Sequence, residues 1–492
     1  MLFNSFTYLV FLPFVVALYW VLPPLARRIL LLVASYVFYM HWMPAYGLLI
    51  LALTVDNFYF GIFLDRFQAQ RKPILTAALI FNLGSLCFFK YADFLVRSIW
   101  NALHFSTSLL GPTTSELFSK CPELHVLLPL GISFFTFEFI HYLVDIYRGA
   151  KPMKNLAWFA LFAAFFPSQI AGPIKRYQDF DEQMHANKKF DPELFREGLG
   201  LIFIGLFKKM VLGDNLGHVV ALGFNAPAQM GTLDAWLAAV GFTIQIYIDF
   251  SGYTDIGRGS AQLLGYRLPI NFNWPFLASN LTEFWRRWHI SLSTWLRDYL
   301  FIPMGGSRVP NWKLKRNLFI TMALGGLWHG ADWNYVIWGI FHGSGLVFSK
   351  DWSDFVDRTP ALNRLRPTFF WHWSGVAFTF TFLIFACVLF RATDVPQALH
   401  VASRMFTLAP SHNVVYAFLC STLPFTLSVY CAFLALEQLA KRQASHPIPV
   451  FSSICNYWNN SQPTRLATYA CMAVMIMGFA PEEVAPFIYF QF

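Results

Sequence analysis

The sequence contains few charged residues. Of its 492 residues, 13% are Asp, Glu, Lys or Arg, whereas 56% are hydrophobic and 19% are aromatic. A soluble domain carries roughly a quarter charged residues, so about half of the usual polar surface is missing. The composition therefore argues against a soluble globular protein and is typical of a protein that lies in a membrane.

The sequence also lacks the usual signatures of metal binding and of several enzyme classes. Its seven cysteines are scattered without a C-x-x-C pair, which argues against a zinc site and a disulfide framework. Most are expected to behave as small buried hydrophobes. There is no H-E-x-x-H motif, G-x-S-x-G elbow or Walker loop, so a metalloprotease, a serine hydrolase and an ATP-driven pump are not supported. No metal and no tightly bound cofactor are predicted.

The net charge of +9 comes from cations that are spread through short loops. This distribution is expected at the cytoplasmic ends of membrane spans and for contact with anionic headgroups. No basic and aromatic platform stands apart from the apolar segments, so no nucleic-acid partner is predicted.

Long apolar runs are abundant. Several approach the roughly 20 residues that a helix needs to cross the hydrocarbon, namely 6–22, 127–147, 372–390 and 414–436. Shorter runs raise the total to about eleven to thirteen membrane segments. The first run lacks a basic flank and a cleavage site and is predicted to be a retained span. The chain is therefore predicted to form one all-α, multi-pass membrane domain over 1–492.

The stretch 156–176 departs from simple alternation of spans. Its apolar part, 156–166, is interrupted by Pro167, Gly172 and Pro173, and cations that should be cytoplasmic follow. A re-entrant segment, which enters the membrane and returns on the same side, is consistent with both facts. Such non-helical backbone is tolerated only where protein or a water-filled cavity surrounds it.

Residues 282–300 are predicted to form one helix with two unlike faces. Aromatic side chains fall on one face, and Arg286, His289, Ser293 and Arg297 fall on the other. Each arginine at the bilayer centre costs about 2.5–3.5 kcal/mol, so the polar face must contact protein, headgroups or water. An interfacial helix on the cytoplasmic surface and a segment that lines an internal cavity both remain open.

Two carboxylates, Asp249 and Asp255, lie among glycines and apolar residues in 245–259. The glycines would let helices approach closely. Because buried charges must be paired, the two acids are interpreted as counter-ions of the arginines in 282–300 rather than as catalytic groups. Asp249 is also kept as a candidate substrate-binding residue.

The pair Trp328-His329 lies between glycines that are expected to leave space around the imidazole, with Asp332 within reach on the same helix. A neutral imidazole accepts a proton from a hydroxyl near neutral pH, and its acid form protonates a leaving group. On the residues alone, a histidine hydrogen-bonded to a neighbouring helix is the interpretation slightly favoured, and the catalytic one stays open. The other histidines considered are given that interpretation: His41, His141, His342 and His372.

At these positions the sequence resembles the membrane-bound O-acyltransferase family, and within it the bacterial branch typified by the alginate O-acetyltransferase membrane subunit. The resemblance is densest over about 165–345. It rests on PSQIAGPIKR (167–176), DFSGYTDIGRG (249–259), LGYRLPINFNWPF (264–276), FWRRWHISLSTWLRDYLFIPMGG (284–306) and NLFITMALGGLWHGADWNYVIWGIFHG (317–343).

The resemblance implies a ring of transmembrane helices around a thin centre that contains re-entrant segments. It implies that His329 is catalytic and that His289 is a second histidine, used for proton transfer or for orientation. Arg286 and Arg287 are candidates for holding the phosphates of the donor. The remaining candidate substrate-binding residues are Trp328, Asp332 and Asp249.

The implied activity is transfer of an acetyl group from a cytoplasmic thioester, acetyl-coenzyme A or an acyl carrier protein, to an extracytoplasmic hydroxyl. The expected pathway is O-acetylation of an exopolysaccharide of the alginate or cellulose type at the bacterial inner membrane. Expected partners are the lipid bilayer, a periplasmic SGNH-type acetyltransferase and a polysaccharide synthase complex. The alternatives are a non-catalytic export or synthase scaffold and a D-alanyl transferase for teichoic acid. The enzyme hypothesis requires that both compartments reach His329.

Overall fold

The computed structural model describes residues 1–108, 121–122, 124, 126–169, 172–411, 413–421, 423–428, 431, 462–480 and 486–488. Regular structure in these ranges is helical, with no β-strand. Three π-helical segments, Cys87–Tyr91, Phe207–Gly213 and Arg297–Phe301, continue α-helices, and three short 3-10 turns cover Gln68–Gln70, Pro227–Gln229 and Pro275–Leu277.

The α-helices are numbered in chain order. Helices α1 to α5 cover Phe6–Val21, Pro24–Met40, Pro44–Arg66, Arg71–Leu86 and Ala92–Ser108. Helices α6 to α10 cover Ile132–Tyr147, Leu156–Ala164, Tyr177–His185, Pro192–Leu206 and Asp214–Asn225. Helices α11 to α15 cover Thr232–Leu263, Leu281–Arg287, Ile290–Leu296, Asn311–His329 and Trp333–Arg358. Helices α16 to α20 cover Pro360–Asn363, Phe369–Arg391, Val395–Arg404, Asn413–Cys420 and Gln462–Phe479.

Several described helices have the length and composition of membrane spans. Four segments are long and apolar enough to cross a bilayer: Pro44–Arg66, Gln68–Ser106, Thr232–Leu263 and Phe369–Arg391. Phe6–Val21 and Leu466–Phe479 are shorter apolar helices. The multi-pass helical class is thus confirmed, whereas eleven to thirteen segments remains a prediction. The predicted run 414–436 begins as α19, and its residues 422, 429–430 and 432–436 lie outside the described part.

The stretch predicted to be re-entrant contains one short helix. Helix α7 has nine residues, which at about 1.5 Å per residue is less than half of the hydrocarbon thickness. The backbone that follows is buried, and its N–H groups have side-chain partners: Phe166 N donates to Ser35 Oγ (3.1 Å) and Ile174 N donates to Ser291 Oγ (3.0 Å). Protein therefore surrounds the described part of this non-helical backbone, whereas the re-entrant course itself stays a prediction.

Glycines bring helix backbones into contact, as expected from 245–259. A Cβ on Gly205 would lie 2.6 Å from the carbonyl oxygen of Gly252, and one on Gly198 would lie 2.8 Å from that of Gly259. Helix α9 therefore packs directly on α11.

The cysteines depart from expectation, because none of the six described ones is buried: Cys87, Cys121, Cys387, Cys420, Cys431 and Cys471. Cys455 lies outside the described residues.

Candidate active site

His329 is the last residue of α14, and its ring lies in an aromatic enclosure. The ring centroid is 4.8 Å from that of Trp328, 4.9 Å from that of Trp338 and 5.2 Å from that of Phe390. The residue is 6% exposed, so the described residues around the ring do not provide the expected open passage from both sides. The Trp328, Trp338 and Phe390 rings therefore cover most of the imidazole surface.

The glycines around His329 serve close packing, so the expectation that they leave space around the imidazole is wrong. A Cβ on Gly326 would lie 2.3 Å from the carbonyl oxygen of Tyr335, and one on Gly330 would lie 2.1 Å from the Tyr335 ring. Helix α15 occupies the volume that side chains at these positions would need. This contact fixes α15, and with it Trp338, against the end of α14.

Asp332 does not share a helix with His329, and the predicted interaction three residues apart is wrong. Gly330 is extended (φ −159°, ψ 155°) and ends α14. Asp332 is the N-cap of α15, where its side chain accepts a hydrogen bond from Asn334 N (3.1 Å). An aspartate is a preferred N-cap because its oxygen satisfies an amide that the helix leaves unpaired.

The prediction of a single helix over 282–300 is also wrong, because the helix is interrupted at Trp288 and His289. Helix α12 ends at Arg287, and His289 has φ 40° and ψ 56° before α13 begins. Asn271 holds the break, since its carbonyl oxygen accepts from Ile290 N (2.9 Å) and its side chain accepts from Ser291 Oγ (2.7 Å). These long-range hydrogen bonds stabilise a turn that the local hydrophobic period does not predict.

The pairs Trp288-His289 and Trp328-His329 nevertheless lie close together. The Trp328 ring lies beside both imidazoles, with centroids 6.1 Å from His289 and 4.8 Å from His329, and it stacks on Phe137 at 5.3 Å. One indole ring therefore separates the two histidines. His289 is fully buried, and neither of its ring nitrogens has a hydrogen-bond partner among the described residues.

A narrow cavity of about 30 Å³ lies on the other side of Trp338 and Phe390 from His329. Aromatic and aliphatic side chains form most of its wall, which includes Phe276, Phe284, Trp285, Trp288 and Leu383. His342, one turn after Trp338 on α15, also lines it, with ring centroids 4.4 Å apart. Trp338 and His342 were not predicted as site residues, although their spacing of four places both on one helix face.

Comparisons with known proteins identify the family of this chain. A model of the membrane-bound O-acyltransferase family matches residues 79–392, which is well over half of the chain. The chain belongs to the membrane-bound O-acyltransferase family. As a family member it is an enzyme, an O-acyltransferase, and both Trp-His pairs lie within the matched region.

Three bacterial relatives illustrate the range of this family. A probable alginate O-acetylase, AlgI, of Azotobacter vinelandii is 36% identical over 522 residues and covers 100% of both chains. A peptidoglycan O-acetyltransferase of Helicobacter pylori is 35% identical over 417 residues, 78% of this chain and 75% of the relative. A teichoic acid D-alanyltransferase of Bacillus subtilis is 29% identical over 315 residues, 60% of this chain and 77% of the relative.

Arg286 and Arg287 of this O-acyltransferase lie on α12, and their side chains are not part of the aromatic enclosure of His329. Arg286 is exposed. Arg287 forms an ion pair with Glu283, with 2.5 Å between Nη2 and Oε1. Arg297 pairs with the neighbouring Asp298 at 2.8 Å. Arg286 is therefore the more available of the two predicted phosphate-binding residues.

The carboxylates of 245–259 are counter-ions, but of lysines. Asp249 is 2.7 Å from Lys209 Nζ and also accepts from Ile488 N at 2.8 Å. Asp255 is 2.7 Å from Lys208 Nζ. Asp255 is also 3.5 Å from Arg258 on its own helix. The predicted pairing with the arginines of 282–300 is wrong, because the π-helical segment after α9 places both lysines against α11. Asp249 is 2% exposed and engaged in this cluster, which does not favour its candidate role in substrate binding.

Among the other histidines, His141 has the structural role that was predicted for it. It is fully buried, its Nε2 accepts from Tyr177 N (3.3 Å), and its Nδ1 lies 3.2 Å from the carbonyl oxygen of Phe137. Among the described residues no group of three or more His, Cys, Asp or Glu side chains is placed to hold a metal ion.

Proposed function

We propose that this O-acyltransferase moves an acetyl group from a cytoplasmic thioester to an extracytoplasmic hydroxyl during O-acetylation of an exopolysaccharide. Full-length similarity to a probable alginate O-acetylase supports the acetyl group and a polysaccharide of the alginate or cellulose type. The donor is acetyl-coenzyme A or an acyl carrier protein, and the enzyme resides in the bacterial inner membrane. About eleven to thirteen segments would form a ring around a thin centre where donor and acceptor meet.

One observation carries the proposal: buried polar ring atoms without described partners gather around Trp328 and Trp338. They are both ring nitrogens of His289, Nδ1 of His342 and the indole nitrogens of Trp285 and Trp328. An unsatisfied buried polar group costs about 1–3 kcal/mol, so a fold retains several together only where they serve a purpose. Substrate atoms or water that enter this region would complete their hydrogen bonds.

His329 is the general base in this proposal. Its imidazole takes the proton of the acceptor hydroxyl, whose oxygen attacks the acyl carbon. The carbon–sulfur bond then breaks, the ester forms, and the proton passes to the departing thiolate. His289 orients a substrate or shares in proton transfer, and Arg286 binds a phosphate of the donor.

The cavity beside Trp338 and Phe390 is proposed to receive the acetyl group. At about 30 Å³ the cavity is too small for a long acyl chain unless its wall moves. None of the described residues that line it has a carboxylate that would bind the ammonium of a D-alanyl group, which favours acetyl transfer over the alternative for teichoic acid. Movement of Trp338 or Phe390 would join the cavity to His329.

The proposed partners are a periplasmic SGNH-type acetyltransferase and a polysaccharide synthase complex. The acceptor hydroxyl is then either a serine of that acetyltransferase or the polysaccharide itself. Because donor and acceptor meet at one imidazole inside the membrane, the activated acyl group need not be flipped across the bilayer as a separate step.

The test is the variant His329→Ala in the native bacterium, with His372→Ala as a control at an exposed histidine. Loss of a general base costs about 10²–10⁴-fold in rate, so ester groups per sugar should fall at least 100-fold at unchanged amounts of folded protein and secreted polymer. His372→Ala should behave as wild type. Export that fails while ester per sugar stays normal would support the scaffold alternative. Mass spectrometry of the polymer distinguishes acetyl from D-alanyl esters.

A further inference from the structure

The end of the helix that carries His329 has unpaired carbonyl groups to satisfy. The last four carbonyl groups of any α-helix have no partner within the helix. Water satisfies them at a protein surface, but within a bilayer other protein groups must do so. Gly330 is extended directly after His329, so the next residues of the chain do not continue the helix.

Two adjacent residues of another helical segment satisfy these carbonyls. Lys90 Nζ donates to the carbonyl oxygens of Trp328 (2.5 Å) and His329 (3.1 Å). Tyr91 Oη donates to the carbonyl oxygen of Leu327 (2.9 Å). Three consecutive carbonyls at the end of α14 are thus held by one ammonium and one phenol.

The local structure of this second segment explains how neighbouring residues reach the same target. Lys90 and Tyr91 close the π-helical segment Cys87–Tyr91, which joins α4 to α5 in the middle of the apolar stretch Gln68–Ser106. Consecutive side chains of a regular α-helix point about 100° apart. A π-helical insertion changes that register, and such insertions are frequent at functional sites.

The charge of Lys90 is compensated differently from the charges of Lys175, Lys208 and Lys209. Lys175 pairs with Glu138, Lys208 with Asp255, and Lys209 with Asp214 and Asp249. No described carboxylate forms an ion pair with Lys90. Its ammonium lies instead at the negative end of the α14 dipole and 5.8 Å from the centroid of the Trp328 ring.

We propose that Lys90 and Tyr91 are positioning residues that hold the last turn of α14, and therefore the His329 imidazole, in place for acyl transfer. The inference rests on the proposed function, in which His329 is the base. Helix ends fray when their terminal groups are not held, and His329 is the terminal residue. Neither side chain needs to contact a substrate.

The experiment compares Lys90→Met, Lys90→Arg, Tyr91→Phe and His329→Ala in the native bacterium with the whole acetylation machinery present. The initial rate of incorporation of labelled acetate into polymer is divided by the amount of folded protein, measured by size-exclusion chromatography. Lys188→Met is the matched control. Lys188 also donates to a carbonyl, that of Gly265 (2.6 Å), and lies over an aromatic ring, that of Tyr266 (3.9 Å), but it does not contact α14.

Lys90→Met is expected to lower the rate per folded molecule by about 10–100-fold, the usual cost of removing a group that orients a reactive residue. Tyr91→Phe, which removes one hydrogen bond, should lower it by about threefold or more. Lys90→Arg keeps a cation and its donors and should recover much of the rate. Lys188→Met should keep the wild-type rate per folded molecule.

The outcomes separate the two proposals. If His329→Ala keeps acetylation, the proposed function fails. If His329→Ala loses acetylation while folded Lys90→Met and Tyr91→Phe match Lys188→Met, the positioning role alone is overturned. An arginine variant no better than Lys90→Met would also contradict that role. Should Lys90→Met not fold, Tyr91→Phe decides, because it retains the cation: a reduced rate supports the role and an unchanged rate overturns it.

Discussion

The candidate site contains the dipeptide Trp-His twice, and the regions around His289 and His329 position it in two different ways. His289 is positioned by its own backbone. It adopts a left-handed conformation between α12 and α13, and hydrogen bonds from the next residues to Asn271 hold that turn. At His329 the helix is regular, and side chains of another segment, Lys90 and Tyr91, satisfy its end. A residue at a backbone break tolerates substitution differently from one at a satisfied helix end.

The two regions also differ in how nearby lysines are compensated. On the His289 side, Phe250 contacts the imidazole with centroids 4.8 Å apart, and its neighbour Asp249 belongs to a buried cluster with Lys209 and Asp214. On the His329 side, Lys90 forms no ion pair with a described carboxylate and donates instead to the carbonyls of Trp328 and His329. The first arrangement is an anchor of fixed opposite charges, whereas the second depends on helix α14 keeping its position.

The largest expected effect is loss of the buried anchor. Lys209→Met leaves the carboxylates of Asp214 and Asp249 without their buried cation, and breaking a buried pair costs about 3–5 kcal/mol. Lys315→Met is the control, because Lys315 and Asp351 are 31% and 47% exposed and such pairs contribute about 0–1 kcal/mol. Thermal unfolding of the purified proteins in detergent measures both. Equal stability of the two variants would show that the cluster does not anchor the His289 side.

The second-largest expected effect is the loss of stability when the contact between α14 and α15 is disturbed. Gly326→Ala places a Cβ 2.3 Å from a backbone oxygen of Tyr335, whereas Gly325→Ala meets its nearest atom, Leu296 Cδ1, at 3.5 Å. Overpacking against backbone costs about 1–3 kcal/mol, so Gly326→Ala should unfold at lower temperature and acetylate more slowly. Gly325→Ala should match wild type or exceed its stability. Equal melting temperatures for the two neighbours would contradict the packing described for His329.

The sequence predicts much of this fold because hydrocarbon imposes strong requirements on composition. The apolar runs 6–22 and 372–390 and the close approach of helices at glycines agree with the structure. The break at His289 was not predictable from local periodicity, since it depends on Asn271, eighteen positions earlier. The role of Asp332 was missed for a related reason: the chain between Gly330 and Asp332 is extended, so residues three apart are not helical neighbours.

The site was predicted only in part, because a pattern search favours residues that are adjacent in sequence. Both Trp-His pairs were found from their dipeptides, whereas Trp338 and Phe390 reach His329 through tertiary packing. Lys90 did carry a signal: it is a single cation within the apolar stretch around CFFKY. Charged groups at membrane depth are costly and usually functional, and that rule applied to every such residue would have identified it.

The smallest expected effect is a difference in stability between two variants of His289, which distinguishes the contribution of its backbone conformation from that of its imidazole ring. Both His289→Gly and His289→Ala remove the imidazole, but glycine adopts φ 40° freely, whereas alanine retains a left-handed strain of about 1–2 kcal/mol. Glycine loses about 0.5–1 kcal/mol more than alanine in conformational entropy, so the glycine variant should be the more stable by up to about 1 kcal/mol. Both variants should lose acetylation equally if the ring takes part in the reaction.

The control for this comparison is Ser293, which lies within the regular turns of α13. There the order should reverse, with Ser293→Ala more stable than Ser293→Gly by about 0.5–1 kcal/mol, because no positive φ favours glycine. Melting temperatures of the four variants measure both differences. A reversal of sign between positions 289 and 293 can arise only from the backbone, since each pair compares the same two side chains. The same order at both positions would mean that His289 is not held in a left-handed conformation, and the contrast between the two Trp-His pairs would then be lost.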